Sequence, residues 1–298
     1  GSVRREDGGF KVALTGRSLD ARAGLARLRA GGMASATDTG TRQAPLDLSI
    51  AVDRLIGFGG EELRNATIAF RQQASGAPVA DIAAVAADGS PLRLAIQKRG
   101  EGRSVELSTD DAGALLRFTG LYSNMYGGKA RLAMAGNQPA QYGGKLALQD
   151  FTLVNESRLA RLVGTTRDRE ASLAGAVGQE LQTSDAYFDA ASAQLAWNGS
   201  RLVARDGIIR GPIFGSSFEG VIVDDAQRIA IDGSFMPAYG VNRLFGAIPF
   251  FGGILGNGQE GGLIGITYRL AGPLDDPTLS VNPISAIAPG IFRRIFEY

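Results

Sequence analysis

Apolar and polar residues alternate with a period of two along most of this chain. Leu46, Leu48, Ile50 and Val52 are interleaved with Asp47 and Ser49, and Leu92, Leu94 and Ile96 with Arg93 and Gln97. The same beat recurs at Val12 and Leu14, Ile68 and Phe70, Val105 and Leu107, Leu132 and Met134, and Leu146 and Leu148. It returns at Ile229, Ile231 and Phe235, and again at Ile264, Ile266, Tyr268 and Leu270. Successive side chains of a strand point to opposite faces, so each of these segments predicts a strand with one greasy and one wet side.

Turn chemistry separates the strands: "ADGS" at Ala87 to Ser90, "RGEG" at Arg99 to Gly102, "YGG" at Tyr142 to Gly144, "WNGS" at Trp197 to Ser200 and "RDG" at Arg205 to Gly207. Glycine and Asn or Asp supply the positive φ that tight turns need. Strand follows turn with no repeating βαβ pattern, which predicts a long antiparallel meander rather than a parallel α/β enzyme fold. Three segments read as helices. "TDDAGALLRFTGLYSNM" starts at a Thr109 or Asp110 cap and has Leu115, Leu116, Phe118 and Leu121 on its apolar side. "NESRLARLVG" runs from an Asn155 cap to Gly164, and "LDARAGLARLRAGG" ends at a glycine pair. Residues 171–181 could add a further short helix. The pattern divides the chain into 1–164, a polar link at 165–184, and 185–298.

The run Leu244 to Leu255 is greasy but too short for a membrane span, which takes about 20 apolar residues, and Pro249, Gly252 and Gly253 interrupt it. It predicts a buried or interfacial segment. The terminus "NPISAIAPGIFRRIFEY" can place Ile284, Ile287, Ile291, Phe292, Ile295 and Phe296 on one stripe beside Arg293 and Arg294. Such a terminus either caps the end of a sheet or lies on a membrane surface.

Composition narrows the chemistry. The 298 residues carry a formal charge of +1 with no basic stripe, which argues against nucleic acid. Neither Cys nor His occurs. Disulfides, thiolate metal sites and the commonest general base are therefore absent, and the reading is of a non-enzyme without metal or cofactor. The pairs Asp110 and Asp111, Asp224 and Asp225, and Asp275 and Asp276 fall at a helix start or in turns, where neighbouring carboxylates cannot act as a paired acid and base. "GGILGNGQEGG" lacks the lysine and the strand-to-helix order of a phosphate loop. Gly1 and Ser2 read as a cleavage scar, and any export signal or membrane anchor is expected upstream.

The greasy face has two outcomes: the core of a closed sandwich, or the wall of an open trough that takes acyl chains. The carboxyl-terminal third bears on this choice. "FMPAYGVN" (Phe235 to Asn242), "IPFFGGILG" (Ile248 to Gly256), "GITYRLAGPLDDP" (Gly265 to Pro277) and "VNPISAIAPG" (Val281 to Gly290) resemble the carboxyl-terminal region of the AsmA-like family, in its YhdP- and TamB-type envelope branch. "STDDAGALLRFTGLYSNMYGGKARLAM" and "FTLVNESRLARLVG" resemble two upstream blocks of that family, and the chain departs from it between Gly164 and Asp185.

The resemblance implies a periplasmic protein of the cell envelope, anchored in the inner membrane by an upstream helix. It implies repeating β-grooves that carry phospholipid between inner and outer membranes in support of outer-membrane integrity. The expected groove residues are Leu92, Leu94, Ile96, Val105, Leu107, Leu132, Met134, Leu146, Leu148, Ile229, Ile231, Phe235, Ile264, Ile266, Tyr268 and Leu270. Leu244, Phe245, Ile248, Phe250, Phe251, Ile254 and Leu255 are expected to form a hairpin plugging the groove's end, with a carboxyl-terminal helical cap beyond. The expected partners are phospholipids, with a membrane surface or envelope proteins at the carboxyl-terminal end. The alternative is a non-enzymatic interaction or chaperone module for outer-membrane protein assembly, in which a free sheet edge accepts a strand.

Overall fold

The computed structural model describes residues 1–6, 8–30, 44–74, 78–138, 141–162, 184–212, 215–236 and 266–282. The plug residues 244–255, Ile264, the link at 165–183, the turn of helix expected at 171–181 and the terminal stripe from Ile284 onward lie outside the described residues.

The strands are β1 (Ser2–Glu6), β2 (Gly9–Asp20), β3 (Leu46–Ile56), β4 (Glu62–Gln72), β5 (Val79–Val85), β6 (Pro91–Arg99), β7 (Gly102–Thr109) and β8 (Met125–Gln138). They continue as β9 (Gln141–Val154), β10 (Asp185–Trp197), β11 (Leu202–Arg210), β12 (Gly215–Val223), β13 (Arg228–Met236), β14 (Ile266–Pro273) and β15 (Thr278–Asn282). All fifteen join one open sheet in the order of the sequence. β9 and β10 pair along their whole lengths, from Val154 with Asp185 to Tyr142 with Trp197, so the sheet runs unbroken past the link.

The meander is antiparallel with one exception: β2 and β3 run parallel. A parallel neighbour needs a crossover, and the segment between Asp20 and Leu46 supplies it through helix α1 (Arg22–Ala30). Asp20 caps that helix, its carboxylate accepting from the Arg22 backbone N–H at 3.0 Å. α2 (Ala112–Thr119) follows β7, and a short helix α3 (157–162) follows β9. β2, β7 and β9 run the same way, so all three helices leave one end of the sheet. At the other end β6 to β7, β10 to β11, β12 to β13 and β14 to β15 turn over within a few residues.

The α2 cap is Asp111, one or two residues later than the sequence suggested. Its carboxylate accepts from the Ala114 N–H at 2.9 Å, while Asp110 instead pairs with Arg131. Gly120 closes the helix in the left-handed region at φ 68°, so Leu121 falls outside it and is exposed. α3 starts from Glu156, whose carboxylate accepts from the Arg158 N–H at 3.0 Å; the expected cap Asn155 has φ 52° and precedes it.

Two sequence turns are not turns. Tyr142 to Gly144 lies inside β9, where Gly144 lets the backbone pass close to Ala133 and Met134. Asp206 lies inside β11 with φ 49° at a bulge between Ala204 and Gly207. Asn65 (φ 50°) and Asp150 (φ 56°) do the same work in β4 and β9. Past each of these residues the inward and outward phases exchange. Val52 and Ala66 on one side of Asn65 share a buried cluster with Leu55 and Leu63 on the other. Leu148 and Phe151 likewise meet in one cluster across Asp150.

Candidate functional site: the apolar face

Register assembles the alternating residues into rows that cross the sheet at right angles to the strands. One row runs Val3, Val12, Leu48, Phe70, Ala80, Ile96 and Val105 from β1 to β7. It continues through Met134, Gly144, Leu195, Ala204, Gly220, Ile231, Leu270 and Leu279 to β15. No polar side chain interrupts it. A second row, two residues along each strand, takes Leu14, Ile50, Ile68, Ile82, Leu94, Leu107, Leu132, Leu146 and Ala193 across β2 to β10. A third takes Leu92, Thr109, Ala130, Leu148, Ala191, Ile209, Ser216 and Phe235, ending where Ile266 pairs with Phe235.

Of the expected groove residues, Ile96, Val105, Met134, Ile231 and Leu270 thus fall in the first row, and Leu94, Leu107, Leu132 and Leu146 in the second. Leu92, Leu148 and Phe235 fall in the third, while Ile229 and Tyr268 share the phase of Ile231 and Leu270 on β13 and β14. The opposite face carries Asp81, Glu106 and Lys145 in one row and Arg93, Ser108 and Arg131 in another.

α2 and α3 each cover part of the apolar face, and a third buried cluster of Met134, Tyr142, Ala193, Leu195, Trp197 and Ala204 lies toward its hairpin end. α2 covers β3 to β6 at the helical end, with Phe118 packed among Val52, Leu63, Ala84 and Leu92. The Phe118 ring lies so close over Gly57 that a Cβ there would strike it. Arg117 fixes the helix from its other side. It meets Glu61 at 2.6 Å, donates to the Met125 carbonyl and stacks 4.3 Å over the Tyr126 ring. At the same end, over the later strands, α3 sends Leu159 and Leu162 into a cluster with Met125, Phe151, Phe188, Phe235 and Leu279, where the Phe151 and Phe188 rings stack at 5.2 Å. Between these clusters, every described member of the second row from Leu14 to Leu146 is only half-buried.

Polar groups near α3 are satisfied. Tyr122 donates to Glu156 at 2.5 Å, and Arg158 donates to the Pro277 carbonyl at 3.3 Å. Burial, reinforced by Glu156, pushes the Tyr122 phenol up. Burial also raises Tyr268, whose oxygen lies 3.0 Å from that of Ser216, and the Ser216 bond opposes the shift.

Shallow concavities open on the polar face. One of about 760 Å³ is lined by Asp206, Ser217, Glu219, Asp232 and Arg269 among others, and one of about 500 Å³ by Asp81, Arg93, Glu106 and Arg131 among others. A twisted sheet is saddle-shaped, so each face is concave along one diagonal. In the first of these concavities the Asp232 carboxylate meets the Arg269 guanidinium at 3.5 Å.

Sequence reasoning missed the part of the wall built by β10 to β12, where Ala193, Ala204 and Gly220 hold the apolar positions. The "WNGS" turn, flanked by Leu195 and Leu202, was the available signal. It also passed over Arg103, which stands in the apolar phase of β7 beside Val105.

No protein-family model, no curated protein and no solved structure matches this chain. No helix among the described residues is long and apolar enough to cross a membrane.

Proposed function

We propose that the apolar face is the wall of a groove that carries lipid acyl chains, and that the chain is a periplasmic segment of a bridge-like phospholipid carrier of the AsmA-like kind. The observation that carries this reading is the first row: fifteen strands contribute to it without one polar side chain. An acyl chain laid across it gains roughly 25 cal/mol for each Å² of apolar surface removed from water. Transfer along such a wall needs no catalytic residue. Headgroups stay at the wet rim.

Curvature supports the trough. β9 and β15 are six strands apart in the sheet, which is about 29 Å when flat. Leu279 also shares its row with Leu195, which is displaced about 33 Å along β10 from Asp185, the partner of Val154. Yet Arg158, four residues past Val154, reaches Pro277. Four residues and one side chain span only about 20 Å, so the sheet coils toward its apolar side here. The interaction-module reading has one observation in its favour: among the described residues β1 and β15 each pair along a single edge.

The test is native mass spectrometry after lipid extraction, on the chain and on a Leu94→Gln, Leu132→Gln variant. Phospholipid that co-purifies with the first and is depleted at least tenfold from the folded variant supports the groove. A protein that is free of lipid and takes up none from phosphatidylethanolamine vesicles overturns it in favour of the interaction module.

A further inference from the structure

One buried cation on the apolar face has no carboxylate beside it among the described residues. Arg103 is 7% exposed, and its Nε is fully buried without a hydrogen-bond partner. Among the described residues it forms no ion pair. Its guanidinium lies 5.5 Å over the Tyr142 ring. A cation–π contact offsets only a small part of what removing a guanidinium from water costs, so a buried arginine ordinarily keeps a carboxylate or an equivalent anion.

The surroundings suit an anion from outside. Lys98, exposed on β6, is the cross-strand partner of Arg103 and brings a second positive charge to the same face. On the other side the register partner is Gly136, which offers no side chain; a Cβ there would strike the Gln141 carbonyl. The backbone of β9 therefore packs directly against β8 here, and no side chain of β8 comes between it and Arg103. Two residues further along β7 the aliphatic rows begin, with Val105 beside Met134 and Leu107 beside Leu132.

We propose that Arg103, with Lys98, binds the anionic head of an amphiphile, a phosphate or carboxylate, whose alkyl chain lies along the half-buried Val105 and Leu132. The proposal rests on the groove reading for the alkyl chain and on Arg103 alone for the head. The planar guanidinium holds two oxygens side by side, which selects such heads over neutral ones. The site sits at the hairpin end of the face, away from the three helices, so it anchors a chain by its head while the tail points toward the half-buried middle.

Isothermal titration with dodecyl phosphate, dodecanol and inorganic phosphate separates the possibilities. Dodecyl phosphate should bind at least tenfold more tightly than dodecanol, and inorganic phosphate more weakly than either. Arg103→Met should remove that tenfold preference and leave dodecanol binding unchanged; methionine fills the space without an unpaired charge, so the fold should hold. Lys98→Glu, at an exposed position, supplies the missing carboxylate from the neighbouring strand and should weaken dodecyl phosphate tenfold. Equal binding of dodecyl phosphate and dodecanol, unchanged in both variants, overturns the headgroup site while leaving the groove. Inorganic phosphate bound through Arg103, with neither amphiphile bound, overturns the groove and leaves a free-anion site.

Discussion

Arg158 and Pro277 are joined by a hydrogen bond of 3.3 Å although they are 119 positions apart in the chain and five strands of sheet lie between them. The same arginine contacts Glu156, which is buried and also holds Tyr122. A single side chain thus ties the exit of β9 to the last hairpin.

Arg158→Ala should therefore lower stability by about 1–2 kcal/mol, since it removes a charge-assisted bond and strips a partner from a buried carboxylate. A urea titration reads the loss, and hydrogen exchange should speed up selectively in β14 and β15. Unchanged protection there would show that the hairpin is held by apolar packing alone.

Glu61 and Arg117 form the least solvated ion pair described, with side chains 18% and 12% exposed. Glu61→Gln should cost about 2 kcal/mol, because Arg117 is left with only a carbonyl and a ring. In a double-mutant cycle with Arg117→Met the pair should show a coupling of at least about 1 kcal/mol. Additive losses would refute the pairing.

Two glycines should respond in opposite directions to alanine. Gly57→Ala drives a methyl group into the Phe118 ring and should destabilise by about 1–3 kcal/mol. Gly24, inside α1, faces open space, and Gly24→Ala should add up to about 1 kcal/mol of helix stability. Thermal melts of both variants check this, and a stable Gly57→Ala protein would mean that Phe118 is free to move away.

Alkaline pH should reveal the two buried phenols. Tyr122 and Tyr268 both have folded-state pKa values above the ordinary 10.0. A raised acid contributes stability that is complete below the unfolded pKa and is lost as pH rises through the folded one. Phenolate absorbance should thus show Tyr122 and Tyr268 protonated above pH 10 until the sheet unfolds. Ordinary titration of both with circular dichroism unchanged would contradict their burial.

β2 to β4 and β6 to β9 were legible because residues such as Ile50, Ile68, Leu94, Leu107, Leu132 and Leu146 mark their faces with large apolar groups, whereas β5 was passed over because Ala80 and Ala84 flank the one large apolar group of its face, Ile82. β10 to β12 were not, because Ala193, Ala204 and Gly220 fill the same positions without a hydrophobic signature. The bulges hid the rest. Asn65, Asp150 and Asp206 each shift the phase by one, so a strict period-two reading ends at Asp150 and mistakes Asp206 for a turn. The parallel joint was hidden too, since the register of β2 against β3 depends on a crossover rather than on any pattern within the strands. Arg103 could have been noticed as a cation standing in an apolar phase.

Strand order that copies sequence order also governs how the molecule comes apart. Each strand is zipped only to its chain neighbours, so folding can spread hairpin by hairpin with little loop entropy to overcome. Pulled by its two ends, such a ribbon peels from the edges one strand at a time, much as stacked repeats lose their outermost units first. The clasp that α3 places on the β14 to β15 turn is the place where that peeling should stall.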